Sequence, residues 1–367
     1  MNKLILGNLI HRPLRSVISV LAVAIEVIMI LSISAIMFGM LNGQRDRTSG
    51  IGMDMFVRPG TTSNLIGVSG APASIKVADV LRKLPHVAVV APVNIQLTAT
   101  SAVENIYGID YESYNALKPF VFVSGGPFQG PYDVIVDDVF SRSGKGYKVG
   151  DTIPVMNHPF RICGVVEHGK GGRKMIPLDT MDELTGSEGK ASVFYLKLDD
   201  VKNEKLVTQE IHATPGMSDY SVQTLEEVLS LMTPEKYPGF NIGLNVVIGI
   251  AVVIGFIVIF QAMYTAVLER TREIGILKSL GGSRLYIVNV VLRESMMLSL
   301  VGIALGIAAS YLMRLVFHDR LPTLAFAISP GWVLKSIVVA SLGSLLGALY
   351  PAWRAASKDP IDALAYE

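Results

Sequence analysis

The chain has 367 residues, of which half are hydrophobic and 17% charged, with a net charge of +1. No basic or acidic surplus directs it to nucleic acid, and a single cysteine, Cys163, excludes an internal disulfide framework. The charge is spread unevenly along the chain, and that distribution carries the first reading of the fold.

The chain opens on a basic lead containing Lys3, Arg12 and Arg15. Residues 16–40 follow, 25 positions with one charge, Glu26. A bilayer core about 30 Å thick takes ~20 apolar residues of helix, and a helix satisfies its own backbone in lipid. The window is about twice the length of a signal-peptide apolar region, so it is expected to remain as an anchor. Residues 42–240 then read as a mixed α/β domain. Strands are expected over 55–57, 87–93, 105–109, 134–136, 160–166 and 193–198, from β-branched or alternating runs. Residues 76–84 have a helical apolar period, and 224–232 start on Thr224 with Glu227 three residues on, a capping box. About 200 residues suffice for a separate core, with room for two lobes. Cys163 lies in an apolar run and is expected to be buried. Pro234 and Pro238 break the return towards the next apolar segment.

Three further windows are long enough to span. Residues 241–268 carry no charge, 285–313 carry only the adjacent Arg293 and Glu294, and 332–350 carry only Lys335. The expected fold is an α-helical integral membrane protein with four transmembrane helices and an α/β domain inserted between helices 1 and 2. Its parts are 1–41, 42–240 and 241–367. Gly302 and Gly306, like Gly343 and Gly347, recur at i, i+4, which either lets helices approach closely or reflects the glycine content of spans. Lysine and arginine gather in the lead, in the loop with Arg270, Arg272, Lys278 and Arg284, and in the tail with Arg354 and Lys358. The opposite short loop has Arg314 and Arg320. The positive-inside bias puts both termini in the cytoplasm and residues 42–240 outside.

Catalytic signals are weak. Residues 164–171 have the GxxxxGK spacing of a phosphate loop, but Gly171 stands where Ser or Thr should hold Mg²⁺. No HExxH, Cys–His ligand spacing or G-x-S-x-G occurs. Neither an enzyme nor a metal site is expected. Charges inside spans are costly and face protein or pair. Glu26, Arg293 and Glu294 are therefore singled out, and Glu26 and Arg293 lie at similar depth, so they are expected to pair if their helices touch. A packing role for that pair outweighs a transport role.

The loop between the second and third windows is the most informative stretch. Residues 269–280 form an amphipathic helix in which Ile274, Ile276, Leu277 and Leu280 are apolar and Glu269, Arg270, Arg272, Glu273 and Lys278 are charged. Gly281-Gly282 would end it. Such a helix either rests on lipid or docks in a partner's groove.

The string ERTREIGILKSLGGSR, residues 269–284, resembles the coupling-helix motif of FtsX/MacB-type ABC transporter permeases. The tail YPAWRAASKDPIDAL, residues 350–364, is similar to the family's closing motif, and the lead NLIHRPLR, residues 8–15, to its basic entry into span one. Residues 42–240 resemble the MacB-type periplasmic core domain, GDTI at 150–153 and FRICGVV at 160–166 being similar to its strand pair. Trp353, where the family favours a basic residue, and Glu26 depart from the pattern. The resemblance implies an inner-membrane permease that works as a dimer, a homodimer by default. An ABC ATPase in trans would bind the ATP and Mg²⁺, since no Walker A is present and no cofactor is expected on this chain. Glu269, Arg270, Arg272, Glu273, Ile274, Gly275, Lys278 and Gly281 would couple to it. ATP-driven motion would reach the outer domain by mechanotransmission and extrude amphiphilic cargo, with a periplasmic adaptor or outer-membrane factor as an optional partner. Two alternatives stand beside this: an FtsX-like transmitter controlling a cell-wall hydrolase without transport, and a membrane-anchored binding module with no ATPase.

Overall fold

The structure is a computed structural model that describes residues 13–357, apart from 61–71, 100–102, 145, 235, 237–238 and 270. The basic lead up to residue 12, Arg270, Pro238 and the closing motif from residue 358 therefore lie outside the described residues.

The chain starts with helix α1 (Pro13–Ser49). A run of short elements follows: β1 (Met55–Arg58), β2 (Ala73–Ser74), α2 (Val77–Leu81), β3 (Val87–Ala99), β4 (Val103–Ile109), α3 (Tyr111–Leu117), β5 (Phe122–Gly125), β6 (Asp133–Asp137) and α4 (Asp138–Ser141). Then come β7 (Thr152–Val155), β8 (His158–Val166), β9 (Lys174–Pro177), α5 (Leu178–Thr185), β10 (Lys190–Ala191), β11 (Val193–Leu198), α6 (Glu204–Ala213), β12 (Ser221–Thr224) and α7 (Leu225–Leu231). Four helices close the chain: α8 (Phe240–Glu269), α9 (Thr271–Ser279), α10 (Arg284–Arg320) and α11 (Pro330–Ser357). Two compact units result, one of residues 1–39, 239–319 and 325–367, the other of 40–238 and 320–324.

In the helical unit α1, α8, α10 and α11 are each long and apolar enough to cross a membrane. They share one core in which Val23, Val27, Ile259, Met263, Leu298, Ile303, Ala340 and Ala348 are buried. Small residues set the helix spacing. A Cβ on Gly302 would lie 2.8 Å from the Val20 carbonyl oxygen, and one on Gly306 2.8 Å from that of Ala24. The backbones of α1 and α10 therefore run in contact and parallel. Gly347 does the same against the Phe256 carbonyl on α8. Gly302, Gly306 and Gly347 are thus close-approach positions, whereas a Cβ on Gly343 would meet only the Glu26 carboxyl, at 3.7 Å. The last span is longer than its apolar window, 28 residues against 19.

The α/β unit is built on one sheet in the order β12-β1-β11-β3-β4-β9-β6-β8-β5, with β7 added on β8. The pairs β4–β9 and β6–β8 are parallel, and the other pairs of this sheet are antiparallel. All six expected strands are present. Besides this large sheet, β2 and β10 pair antiparallel in a small sheet of their own. The apolar faces of the large sheet feed three cores, around Tyr114 and Tyr195, around Phe194 and Leu196, and around Phe160 and Ile162. Thr224 caps α7, accepting from the Glu227 amide while the Glu227 side chain accepts from the Thr224 amide.

Candidate functional site

The candidate site is α9, and its register follows from the anchors at its two ends. At the start, the Thr271 hydroxyl donates to the Val267 carbonyl at 3.1 Å and is buried. At the end, the Gly281 amide donates to Lys278 and the Gly282 amide to Leu277, both at 3.0 Å. Gly281 has φ +94, the left-handed conformation this Schellman closure needs. Ser283 then caps α10 by accepting from the Tyr286 amide.

Between these anchors the helix has two faces. Thr271 and Gly275 are buried, while Ile274 and Leu277 pack on the core of the helical unit. The Lys278 ammonium donates to the Ala356 carbonyl at 2.9 Å. Ala356 lies in the last turn of α11, where carbonyls have no partner in their own helix and a cation is favoured. Lys278 therefore ties α9 to the end of α11. The opposite face presents Arg272, Glu273, Ile276, Ser279 and Leu280 to the outside. Sequence periodicity had grouped Ile276 and Leu280 with Ile274 and Leu277, but the structure divides them. It also sends Lys278 inward, a contact foreshadowed only by the amphipathic period and by a basic residue near a helix end. Glu269 closes α8.

The intramembrane charges do not meet as expected. Glu26 is 3% exposed, and its carboxyl lies against Gly255 of α8 and Gly343 of α11. A Cβ on Gly255 would fall 2.1 Å from Oε2. The Oε1 atom has no hydrogen-bond partner among the described residues. Arg293 is exposed, and its Nε donates to Asn289 Oδ1 at 3.1 Å on the same helix. The Glu26–Arg293 pair is thus not formed. Equal depth fixes height along a helix, not the direction a side chain takes around it. Glu294 is buried, one position round from Arg293.

The phosphate-loop string is part of the α/β core. Tyr114 donates its hydroxyl to the Lys170 carbonyl at 2.9 Å, and the Lys170 ammonium donates to the Lys118 carbonyl beyond α3. Burial, with Lys118 and Lys197 nearby, brings the Lys170 amine down to about 8. Cys163 is buried, its thiol pushed up to about 12 mainly by that burial. It is therefore an inert thiol at neutral pH. No metal-binding group of His, Cys, Asp or Glu occurs among the described residues.

Residues 16–214, more than half of the chain, match the family described as MacB-like periplasmic core domain, and residues 245–360 match the FtsX-like permease C-terminal family. The chain belongs to the FtsX/MacB-like family of ABC transporter permeases. Among curated relatives of this permease, the macrolide export ATP-binding/permease protein MacB of Chromobacterium violaceum is 30% identical over 64% of the chain and 38% of the relative. The protein of that name from Escherichia coli K12 is 29% identical over 72% of the chain and 42% of the relative. The chain thus spans about two fifths of the length of the curated relatives it matches. Among solved structures, the periplasmic region of MacB from Actinobacillus actinomycetemcomitans aligns at 18% identity with a TM-score of 0.38, over 49% of the permease and 94% of that chain. The extracellular domain of YknZ, a noncanonic ABC-type transporter from Gram-positive bacteria, aligns at 14% identity with a TM-score of 0.37, over 47% and 98%.

Proposed function

We propose that this permease couples ATP hydrolysis by a partner ABC ATPase to motion of its α/β unit and so extrudes amphiphilic cargo. In this reading the helical unit lies in a bacterial inner membrane, with α9 and both termini on the cytoplasmic side. The parallel run of α1 and α10 supports it, because their starts then share one membrane face with α9. A second copy of the chain completes the permease, and the ATPase carries the ATP and Mg²⁺.

The observation that carries the proposal is the two-faced construction of α9. Its inward face is locked to the helical core through Ile274, Gly275 and the Lys278–Ala356 bond. Its outward face presents opposite charges on adjacent residues beside apolar Ile276 and Leu280. A helix lying only on lipid gains nothing from a rigid tie at its back. A helix that transmits a push needs that tie. Arg272, Glu273, Ile276 and Leu280 would meet the ATPase, while Ile274, Gly275 and Lys278 pass its displacement on.

The test is co-purification with the candidate ATPase, followed by hydrolysis with Arg272→Glu/Glu273→Arg in α9. Loss of association or of stimulated hydrolysis, with the permease still folded, is expected. A complex that forms and hydrolyses ATP identically with the double variant would contradict this role for α9.

A further inference from the structure

The α/β unit holds an open cleft of about 360 Å³ at the rim of its cores, lined in part by Ala78, Ile109, Tyr111 and Phe128. It opens between α2 and the starts of α3 and α5, over Pro92 midway along β3 and the ends of β4 and β9 at Ile109 and Pro177. The volume lies in the range of small-molecule sites. Its side-chain charges are the carboxylates of Asp79, Asp110 and Asp179 against the Arg82 guanidinium, the last two carboxylates lying at the partly positive starts of α3 and α5. Arg82 is already engaged, donating to Asp79 at 2.8 Å and to the Val90 carbonyl at 3.3 Å. Asp110 and Asp179 also line the cavity, and among the described residues no basic side chain besides Arg82 does. Asp110 is held by its cap on α3, accepting from the Ser113 amide at 3.1 Å. Tyr111 and Phe128 complete the wall, meeting edge to face with ring centres 6.1 Å apart. Carboxylates beside aromatic faces attract organic cations and repel anions.

We propose that this cavity binds an organic monocation with an apolar body, its charge at Asp110 and Asp179 and its apolar part against Tyr111, Phe128, Pro92 and Ile109. As a statement about cargo this rests on the permease reading. As a statement about binding it stands alone, because every wall residue comes from one chain.

Tetraphenylphosphonium and tetraphenylborate, matched in shape and opposite in charge, test it by equilibrium dialysis on the full chain in nanodiscs, with empty discs subtracted. The phosphonium is expected to bind saturably, one per chain, and the borate not to saturate. Asp110→Asn/Asp179→Asn should weaken the phosphonium roughly tenfold, since asparagine still caps α3. Should the double variant melt early, Asp179→Asn alone serves, because that side chain is exposed. Equal binding of both ions, or phosphonium binding indifferent to the variants, would overturn the proposal. Phosphonium binding by a chain that recruits no ATPase would leave the site standing and overturn the coupling reading instead.

Discussion

Gly302 and Gly255 both keep space open beside α1, but at different cost. A Cβ on Gly302 would meet the Val20 carbonyl at 2.8 Å and Val23 Cβ at 2.7 Å, backbone and branched atoms that cannot step aside. Gly302→Ala is expected to destabilise the helical unit by about 1–3 kcal/mol. A Cβ on Gly255 would meet the end of the flexible Glu26 side chain. Gly255→Ala should cost less, and Glu26→Ala in the same chain should remove most of that cost. Thermal unfolding in detergent measures both, and equal losses for the two glycine variants would count against the packing described. Asp133 gives a test by pH. Burial alone would raise its carboxyl, but the Arg161 guanidinium and the Gln129 and Gly130 amides outweigh burial and hold it below the usual carboxylate range. A depressed folded-state value stabilises above the unfolded value, about 4, and that contribution is lost as pH falls through the folded value. Asp133→Asn should therefore lower the melting temperature of the α/β unit at pH 7, by a difference that shrinks progressively as the pH is taken below about 4. A difference independent of pH would contradict this.

At the scale of elements, α9 shows both what the sequence reveals and where it stops. The helix, its glycine stop and its amphipathic character were legible, because Gly281-Gly282 and a 3.6-residue period are local signals. Which apolar residues face inward was not, because the stripe is wide and the deciding contacts come from α11, about 80 residues away in sequence. Variants separate the two faces. Ile274→Asp should loosen the helical unit by burying an unpaired charge, and Lys278→Met should cost about 1 kcal/mol by leaving the Ala356 carbonyl without its donor. Arg272→Glu should stay within about 0.5 kcal/mol, as exposed substitutions do. Melting curves that rank Arg272→Glu as the most damaging of the three would reverse the assignment of faces. In the α/β unit, the strands recognised from sequence carry β-branched or alternating runs, as in Val193–Leu198. Those missed, such as Ala73–Ser74, Lys190–Ala191 and Ser221–Thr224, are two to four residues long and show no alternation. Tertiary pairing makes them strands.

At the scale of the molecule, four apolar windows and an intervening α/β unit were legible because span length and charge are properties of the chain itself. The Glu26–Arg293 pairing was not, because depth along two helices leaves their facing directions undetermined. The cavity beneath Asp110 and Asp179 was not legible either. Its wall comes from segments about 100 residues apart, and each residue alone reads as a cap, a turn or core. The central claim, that motion begins at α9 and reaches the α/β unit, is tested most directly by hydrogen exchange. Amide exchange across residues 40–238 would be followed in the permease–ATPase complex, with the ATPase empty and with ATP trapped. Altered protection of the α/β unit on trapping ATP, abolished by Arg272→Glu/Glu273→Arg, is the expected result. Identical exchange in the two nucleotide states, or a change that survives the α9 variant, would contradict it.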